Sequence, residues 1–333
     1  MSAHSNVIDT SLTWSQEDAA KYFLQPLFIS NNDLSHFDVI TNISGSSIKL
    51  DKYTALKGVT GAIGAGCFDG QDKQSTNSNV TLDLVRLEVE HAQKAQSLFN
   101  HIKSQLMRQG IDRNDLDGTL LMQMISELLM GGIMRDFSTI LWWGNGSSGS
   151  GVQGLNAGIW NKVFETTANG GIPATSKVTY SPGATAAIDA LEALMLARTN
   201  ELAASDQVMF VSRSFADKYK NELYAQGVNN AYADMQSGIE NLSYNGIPMV
   251  VKPDFDVNIA EFHASMPTGV GSAADKTECA MLLAKDAIAV GTDFEIQDVD
   301  MWYNRDCKEN RFRMNYSVGV ALKDGALAAT VSH

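Results

Sequence analysis

The strongest periodicity in the chain runs from Asp117 to Trp143. Leu121, Ile125, Leu129, Ile133, Phe137 and Leu141 fall four apart, Met124, Leu128 and Ile140 lie beside them, and no proline interrupts. That spacing places one apolar stripe on an α-helix. Gln123, Glu127, Arg135, Asp136 and Thr139 fall mostly on the other side. Asn114 or Asp115 can cap its start, and Gly144 and Gly146 supply the stop. At 1.5 Å per residue such a helix is roughly 40 Å long. Gly131-Gly132 sits in its middle, and each glycine costs a helix about 1 kcal/mol against alanine. Two readings stay open: close packing against a neighbouring backbone, or a bend point.

Period-two patterns flank the helix. Ile48 and Leu50 alternate with Lys49 and Asp51; Val80, Leu82 and Leu84 alternate with Thr81 and Asp83. The phase then shifts to Val85, Leu87 and Val89, which predicts a bulge or a change of buried face. Residues 46–91 thus read as a long hairpin whose glycine-rich, polar tip is not buried in its own subunit, and such a hairpin needs a partner. Ala92–Gln109 reads as a helix, and 144–160 as a glycine-serine connector. In 160–285, helices at Thr185–Leu202 and Phe215–Gln226 (Ser214 as N-cap) alternate with strands at 207–212, 247–251 and 279–283, around an Asn245-Gly246 turn. Residues 294–303 and 311–322 alternate as a second antiparallel hairpin with one covered face, joined by a polar turn. Residues 1–40 read as an extended arm with a short helix, lying on something else. The fold class is α+β.

Composition narrows the function. With 44% hydrophobic residues the 333-residue chain is globular. Its net charge of −13 is spread rather than held in a tail, and no basic stripe suits a nucleic-acid reader. The N-terminus does not read as a signal peptide, and no 18-residue apolar run predicts a membrane span. Cys67, Cys279 and Cys307 are too scattered for a disulfide framework or a zinc site.

Candidate chemistry is sparse. The connector lacks the Gly-Lys-Ser/Thr ending that a phosphate loop needs. None of the six histidines stands in a GxSxG or HExxH context. Glu88, Glu90, Asp298 and Asp300 read as acids on an exposed strand face, and one of Trp142 and Trp143 as core with the other as contact surface. No catalytic residue, metal site or cofactor is expected.

The order of these parts resembles the major capsid protein of tailed bacteriophages, of the Hong Kong 97 fold. Gly144-Asn145-Gly146 followed by Gly154-Leu155-Asn156-Ala157-Gly158-Ile159 resembles the family's entry to its second lobe, with Leu155-Asn156 where a proline is usual. Tyr244-Asn245-Gly246-Ile247-Pro248-Met249-Val250 resembles a strand of the axial lobe, and Asn310-Arg311-Phe312-Arg313 the closing strand. The resemblance covers roughly 30–325.

It implies an N-terminal arm (1–45), an extended loop (46–91), a peripheral domain (92–154 with 286–333) carrying the spine helix 117–143, and an axial domain (155–285). It further implies a non-enzymatic shell subunit that self-assembles into hexamers and pentamers of an icosahedral head around double-stranded DNA. Assembly would take place in the host cytoplasm, with the chain ending in the virion. Partners would be further copies, a scaffolding protein, a portal and a decoration protein. Lys57, Cys67, Phe68, Asp69 and Lys73 are the candidate intersubunit contacts, and Gly131 and Gly132 the candidate bend. Covalent cross-linking of Lys57 or Lys73 to Asn304, Asn310 or Asn315 rests on residue type alone. The alternatives are an encapsulin-like nanocompartment shell and a hydrolase-type enzyme with its site in 155–285.

Overall fold

The computed structural model describes residues 32–41, 43, 45–53, 77–93, 120–146, 151–164, 172–179, 186–225, 242–262, 278–285, 287–293, 299–304, 307 and 309–332. In chain order the elements are β1 (Asp38–Ile40), β2 (Ser47–Tyr53), β3 (Asn77–Asp83), β4 (Val85–Gln93), the long helix α1 (Leu120–Trp143), α2 (Ile159–Phe164), β5 (Lys177–Thr179), α3 (Ala186–Leu196) and α4 (Asn200–Ala203). There follow β6 (Gln207–Ser212), α5 (Arg213–Ala225), β7 (Ser243–Tyr244), β8 (Ile247–Lys252), α6 (Phe255–Phe262), β9 (Cys279–Ala284), β10 (Ile288–Asp293), β11 (Val299–Asn304), β12 (Glu309–Leu322) and β13 (Ala328–Ser332). The strands form a five-stranded sheet, a six-stranded sheet and the separate β2–β3 hairpin.

The five-stranded sheet is built on β12. β4 pairs with it continuously over residues 310–318. β11 pairs with residues 309–314 and β10 with 317–322, so they follow one another along the opposite edge. β1 adds in parallel to β10. In the six-stranded sheet the order is β5-β13-β9-β6-β8-β7. Every residue of β9 is buried, which is why its apolar run shows no alternation.

One continuous core joins the two sheets. Ile133, Phe137, Ile140 and Leu141 of α1 share it with Phe312, Met314, Val318 and Val320 of β12, and with Met209, Phe210 and Leu282 of the six-stranded sheet. At the end of α1, both tryptophans are about 1% exposed, so neither is a contact surface in this chain. Trp142 meets Phe37, Phe210 and Phe255, while Trp143 stacks on Trp160 at 4.7 Å and meets Phe255 edge-on. The two rings point into different parts of the same core, because consecutive helical residues lie about 100° apart.

The connector after α1 folds back as a clasp. Gly158 N–H donates to the Gly144 carbonyl at 2.8 Å, and Gly146 N–H to that of Asn156 at 3.0 Å. A Cβ at Gly144 would stand 2.1 Å from the Asn156 carbonyl oxygen, and one at Gly158 2.7 Å from the Gly144 nitrogen. Only glycine lets these backbones approach so closely. Asn156 completes the clasp by donating to the Val318 carbonyl at 3.1 Å.

Several expectations are corrected. Thr185–Leu202 is two helices, not one: Thr199 leaves the helical path and caps α4, its hydroxyl accepting from Leu202 N–H at 3.1 Å. α5 begins two residues early, at Arg213, and Ser212, not Ser214, accepts from the Phe215 amide. Ala92 and Gln93 belong to β4 rather than to a helix. β13 leaves the five-stranded side and inserts between β5 and β9. Of the segment after residue 286, β10, β11 and β12 stay in the five-stranded sheet, and β13 alone satisfies the outer edge of β9. The helices expected at 15–23 and across most of 92–109 lie outside the described residues.

Candidate functional site

The feature that needs most explanation is how the β2–β3 hairpin is mounted. Its register runs from Ser47↔Asp83 to Tyr53↔Asn77. Burial fades along it: Leu82 is 0% exposed at the root, Val80 is half-buried, and Tyr53 at the outer end is 69% exposed. No residue of β2 is fully buried. The hairpin is thus rooted in the body and carries an apolar side chain in the open at its far end.

The root explains the phase shift in the sequence. β3 ends at Asp83, Leu84 lies between strands, and β4 begins at Val85. Leu82 and Leu84 belong to a small cluster with Ile43, Ala289 and Ala321, whereas Leu87 belongs to the main core. The shift moves the chain's buried side chains from one face of the five-stranded sheet to the other.

That face is shaped to receive the root. Gly291 and Gly319 are directly paired across β10 and β12, and Ala289 and Ala321 are the next pair on the same face. A Cβ at Gly319 would stand 2.5 Å from the Asp83 carbonyl oxygen and 3.2 Å from Leu82 Cδ1. One at Gly291 would stand 2.8 Å from Leu82 Cδ2, 3.0 Å from Ile43 Cδ1 and 3.1 Å from Leu84 Cδ2. The absent side chains form the seat. Leu84 N–H closes the root by donating to the Ser46 carbonyl at 2.8 Å. The expectation of one covered face on the C-terminal hairpin therefore holds only for its first half. Arg313 is exposed and Asn315 half-buried, but Ser317, Gly319 and Ala321 are all buried.

Further out, Lys52 Nζ donates to Asp324 Oδ2 and lies 3.4 Å from Glu201 Oε2. The hydrogen bond to Asp324 holds its ammonium above the usual lysine range. Asp324 also caps the turn Gly325–Leu327 between β12 and β13, accepting from Ala326 N–H at 3.0 Å. Thr199, which caps the helix bearing Glu201, donates to the Ala326 carbonyl at 2.6 Å.

A second anchor holds the residues before the hairpin. Asp33, 5% exposed, accepts from Trp142 Nε1 at 2.9 Å and from Lys252 Nζ. Phe37 packs on Trp142 and Phe210. Just beyond it, β1 pairs with β10. The stretch 32–40 is thereby fixed at the junction of both sheets.

Two further carboxylates cap helices. Glu222 accepts from the Ala187 and Ile188 amides at 2.9 Å, capping α3 from another helix. Asp256 accepts from Ser214 N–H at 3.1 Å and Ser214 Oγ at 2.8 Å, at the start of α5. Burial among core side chains pushes the Tyr316 hydroxyl up to about 12. Glu88 accepts from Arg313 Nε at 2.6 Å, with Glu90 at 3.7 Å from the same nitrogen, as an exposed cluster. Among the described residues, no three of His, Cys, Asp and Glu gather as metal ligands. Nor is any helix among them long and apolar enough to cross a membrane.

Of the candidates taken from the sequence, Lys57, Cys67, Phe68, Asp69 and Lys73 lie outside the described residues. Gly131 and Gly132 are exposed within an unbroken α1. A Cβ at either would meet nothing within 4 Å among the described residues. Close packing against the described residues therefore does not explain them. The seat, Lys52 and Asp33 were not singled out from sequence. The signal for the seat was present: Ser317, Gly319 and Ala321 are all small on the supposedly solvent-facing phase of β12.

No family model matches the chain, and no curated protein matches it either. Solved structures do match, over nearly its whole length. A chain of the satellite phage P4 procapsid, in a structure that includes the size determination (Sid) protein, covers 97% of this chain and 92% of its own length, with TM-score 0.53 and 14% identity. A chain of the native GTA particle capsid covers 100% and 95%, with TM-score 0.54 and 14% identity. One from the bacteriophage PhiM1 mature capsid covers 100% and 91%, with TM-score 0.52 and 11% identity. At these identities the likeness is one of fold, and the chain shares its α+β fold with chains of phage capsid structures from end to end.

Proposed function

We propose that the protein is the major capsid subunit of a tailed-phage head. The observation that carries this reading is the match to capsid chains along nearly the full length of both partners. A fold shared only over one lobe would be compatible with many functions. The β2–β3 hairpin supports it, since it leaves the body with its apolar end uncovered.

In this reading the hairpin is the extended loop that reaches over a neighbouring copy. Lys57, Cys67, Phe68, Asp69 and Lys73 are its intersubunit contacts. α1 is the spine of a peripheral domain with the five-stranded sheet. The six-stranded sheet with α3, α5 and α6 is the axial domain, assembling around five- and six-fold axes. Gly131-Gly132 gives the spine a soft point between pentamer and hexamer environments. The subunit would enclose double-stranded DNA without reading it, its net charge of −13 keeping the wall from adhering. Assembly in the host cytoplasm would draw on a scaffolding protein, a portal and a decoration protein. The subunit's role is structural, without catalysis.

Electron microscopy of the purified full chain, alone and with co-expressed products of neighbouring genes, tests this. Closed shells, tubes or rings of five and six copies are expected. A chain that stays monomeric in every combination overturns the proposal.

A further inference from the structure

The hairpin has two attachments of opposite chemistry, and we infer that they divide the work: the glycine seat fixes its root, and Lys52 is a releasable stay that sets its attitude. The seat is apolar and dry. Leu82 and Leu84 fill the space left by Gly291 and Gly319, and burial of that kind is not screened by salt as an exposed ion pair is. Beyond the root the apolar contact thins to the partly buried Ile48, Leu50 and Val80, and no residue of β2 is fully buried. Among the described residues, the hairpin's ion pairs to the body are those of Lys52 with Asp324 and Glu201.

The geometry suits a stay. Lys52 lies next to Tyr53, at the outer end of the register, so a small restraint there acts on a long arm from the root. Its side chain is 39% exposed and that of Glu201 58%, so solvent ions reach the pair. The acceptors are held in place without Lys52. Asp324 is oriented by its cap to Ala326, and α4 is tied to the same turn by the Thr199 bond to the Ala326 carbonyl. The turn connects β12 to β13, and so the five-stranded sheet to the six-stranded one. The stay therefore registers the hairpin against both. When it is lost, the hairpin swings about Ser46 and Leu84 while its own β ladder stays intact.

All of these residues belong to one chain, so the inference stands apart from the capsid reading. It is tested on the full chain at a concentration where sedimentation gives the same species for every variant. Nitroxide labels are placed at Y53C and L196C, the latter 81% exposed on the body. Cys67 and Cys307 are replaced by serine. Pulsed electron spin resonance then gives the distance distribution between the labels. Lys52→Met is expected to enlarge the displaced population about two- to fivefold, the range for losing a surface ion pair. Lys52→Arg should keep the parent distribution, and Glu201→Gln should give a smaller displacement. Salt at about 1 M, where the Debye length is about 3 Å, should reproduce the displacement in the parent and add nothing in Lys52→Met. Amide exchange at Leu82–Leu84 should not change. Identical distributions in the parent and Lys52→Met overturn the inference. So does faster exchange at the root, because Lys52 would then be holding the fold rather than the attitude.

Discussion

Gly319→Ala tests the seat most sharply. The added Cβ would stand 2.5 Å from the Asp83 carbonyl oxygen. Ordinary contact begins at 3.4 Å, so that backbone must retreat by about 0.9 Å. A flexible side chain could yield at little cost, but Asp83 ends a strand paired from Ser47 to Tyr53, and its neighbours Leu82 and Leu84 are already seated. Moving the carbonyl therefore unseats both leucines or bends β12. Overpacking of this kind costs about 1–3 kcal/mol. Equilibrium urea unfolding should show the midpoint falling by that equivalent with an unchanged slope. Hydrogen exchange should locate the loss, with protection falling at Leu82–Leu84 and persisting at Met209–Val211. A variant with parental stability and parental protection at the root would refute the reasoning, since the seat would then have room that the geometry denies.

Gly131→Ala and Gly132→Ala make the converse case: with no contact within 4 Å among the described residues, each should stabilise the chain by up to about 1 kcal/mol in the same assay. A loss of stability instead would mean that a backbone does pack there. Asp33→Ala leaves Lys252 and Trp142 Nε1 without their shared acceptor and should cost about 3–5 kcal/mol by urea unfolding, with Asp33→Asn costing less. Burial raises the Tyr316 hydroxyl, so the neutral form is the one the fold favours. Its contribution is complete below about pH 10 and is lost as pH rises toward 12, at about 1.4 kcal/mol per unit. Stability measured from pH 9 to 11 should fall less steeply in Tyr316→Phe than in the parent; parallel curves would remove Tyr316 as the cause.

Much of the architecture could be read directly from local pattern. The four-residue spacing from Leu121 to Leu141 predicts α1, the apolar runs predict β6 and β9, and the Asn245-Gly246 pair predicts the β7–β8 turn. These depend on neighbours a few residues away, so the period carries them. The break at Leu84 was legible too, as a change of phase, although not its meaning. The short strands β1, β5, β10 and β13 were not. Each is stabilised by what it pairs with, and a partner beyond the neighbouring residues leaves no local periodicity. β13 takes its place from β9 and β5, not from the β12 strand that leads into it.

The site divides the same way. Sequence alone predicted a hairpin here, because alternation is a property of the segment itself, but it ran the second strand on to residue 91, where Val85–Gln93 pairs with β12 instead. It also determined the long helix α1, whose apolar stripe repeats within the segment. Only the tertiary structure decided where the hairpin is held. The seat is made of missing side chains on two strands that pair Gly291 with Gly319, and its occupants come from more than 200 residues earlier. A glycine in a sequence states only a freedom. Which backbone uses the space is fixed when long-range pairing brings Asp83 and Leu82 against it. Asp33 and Lys52 follow the same logic, since a lone charge in a sequence reads as solvated until the fold brings it an opposite charge.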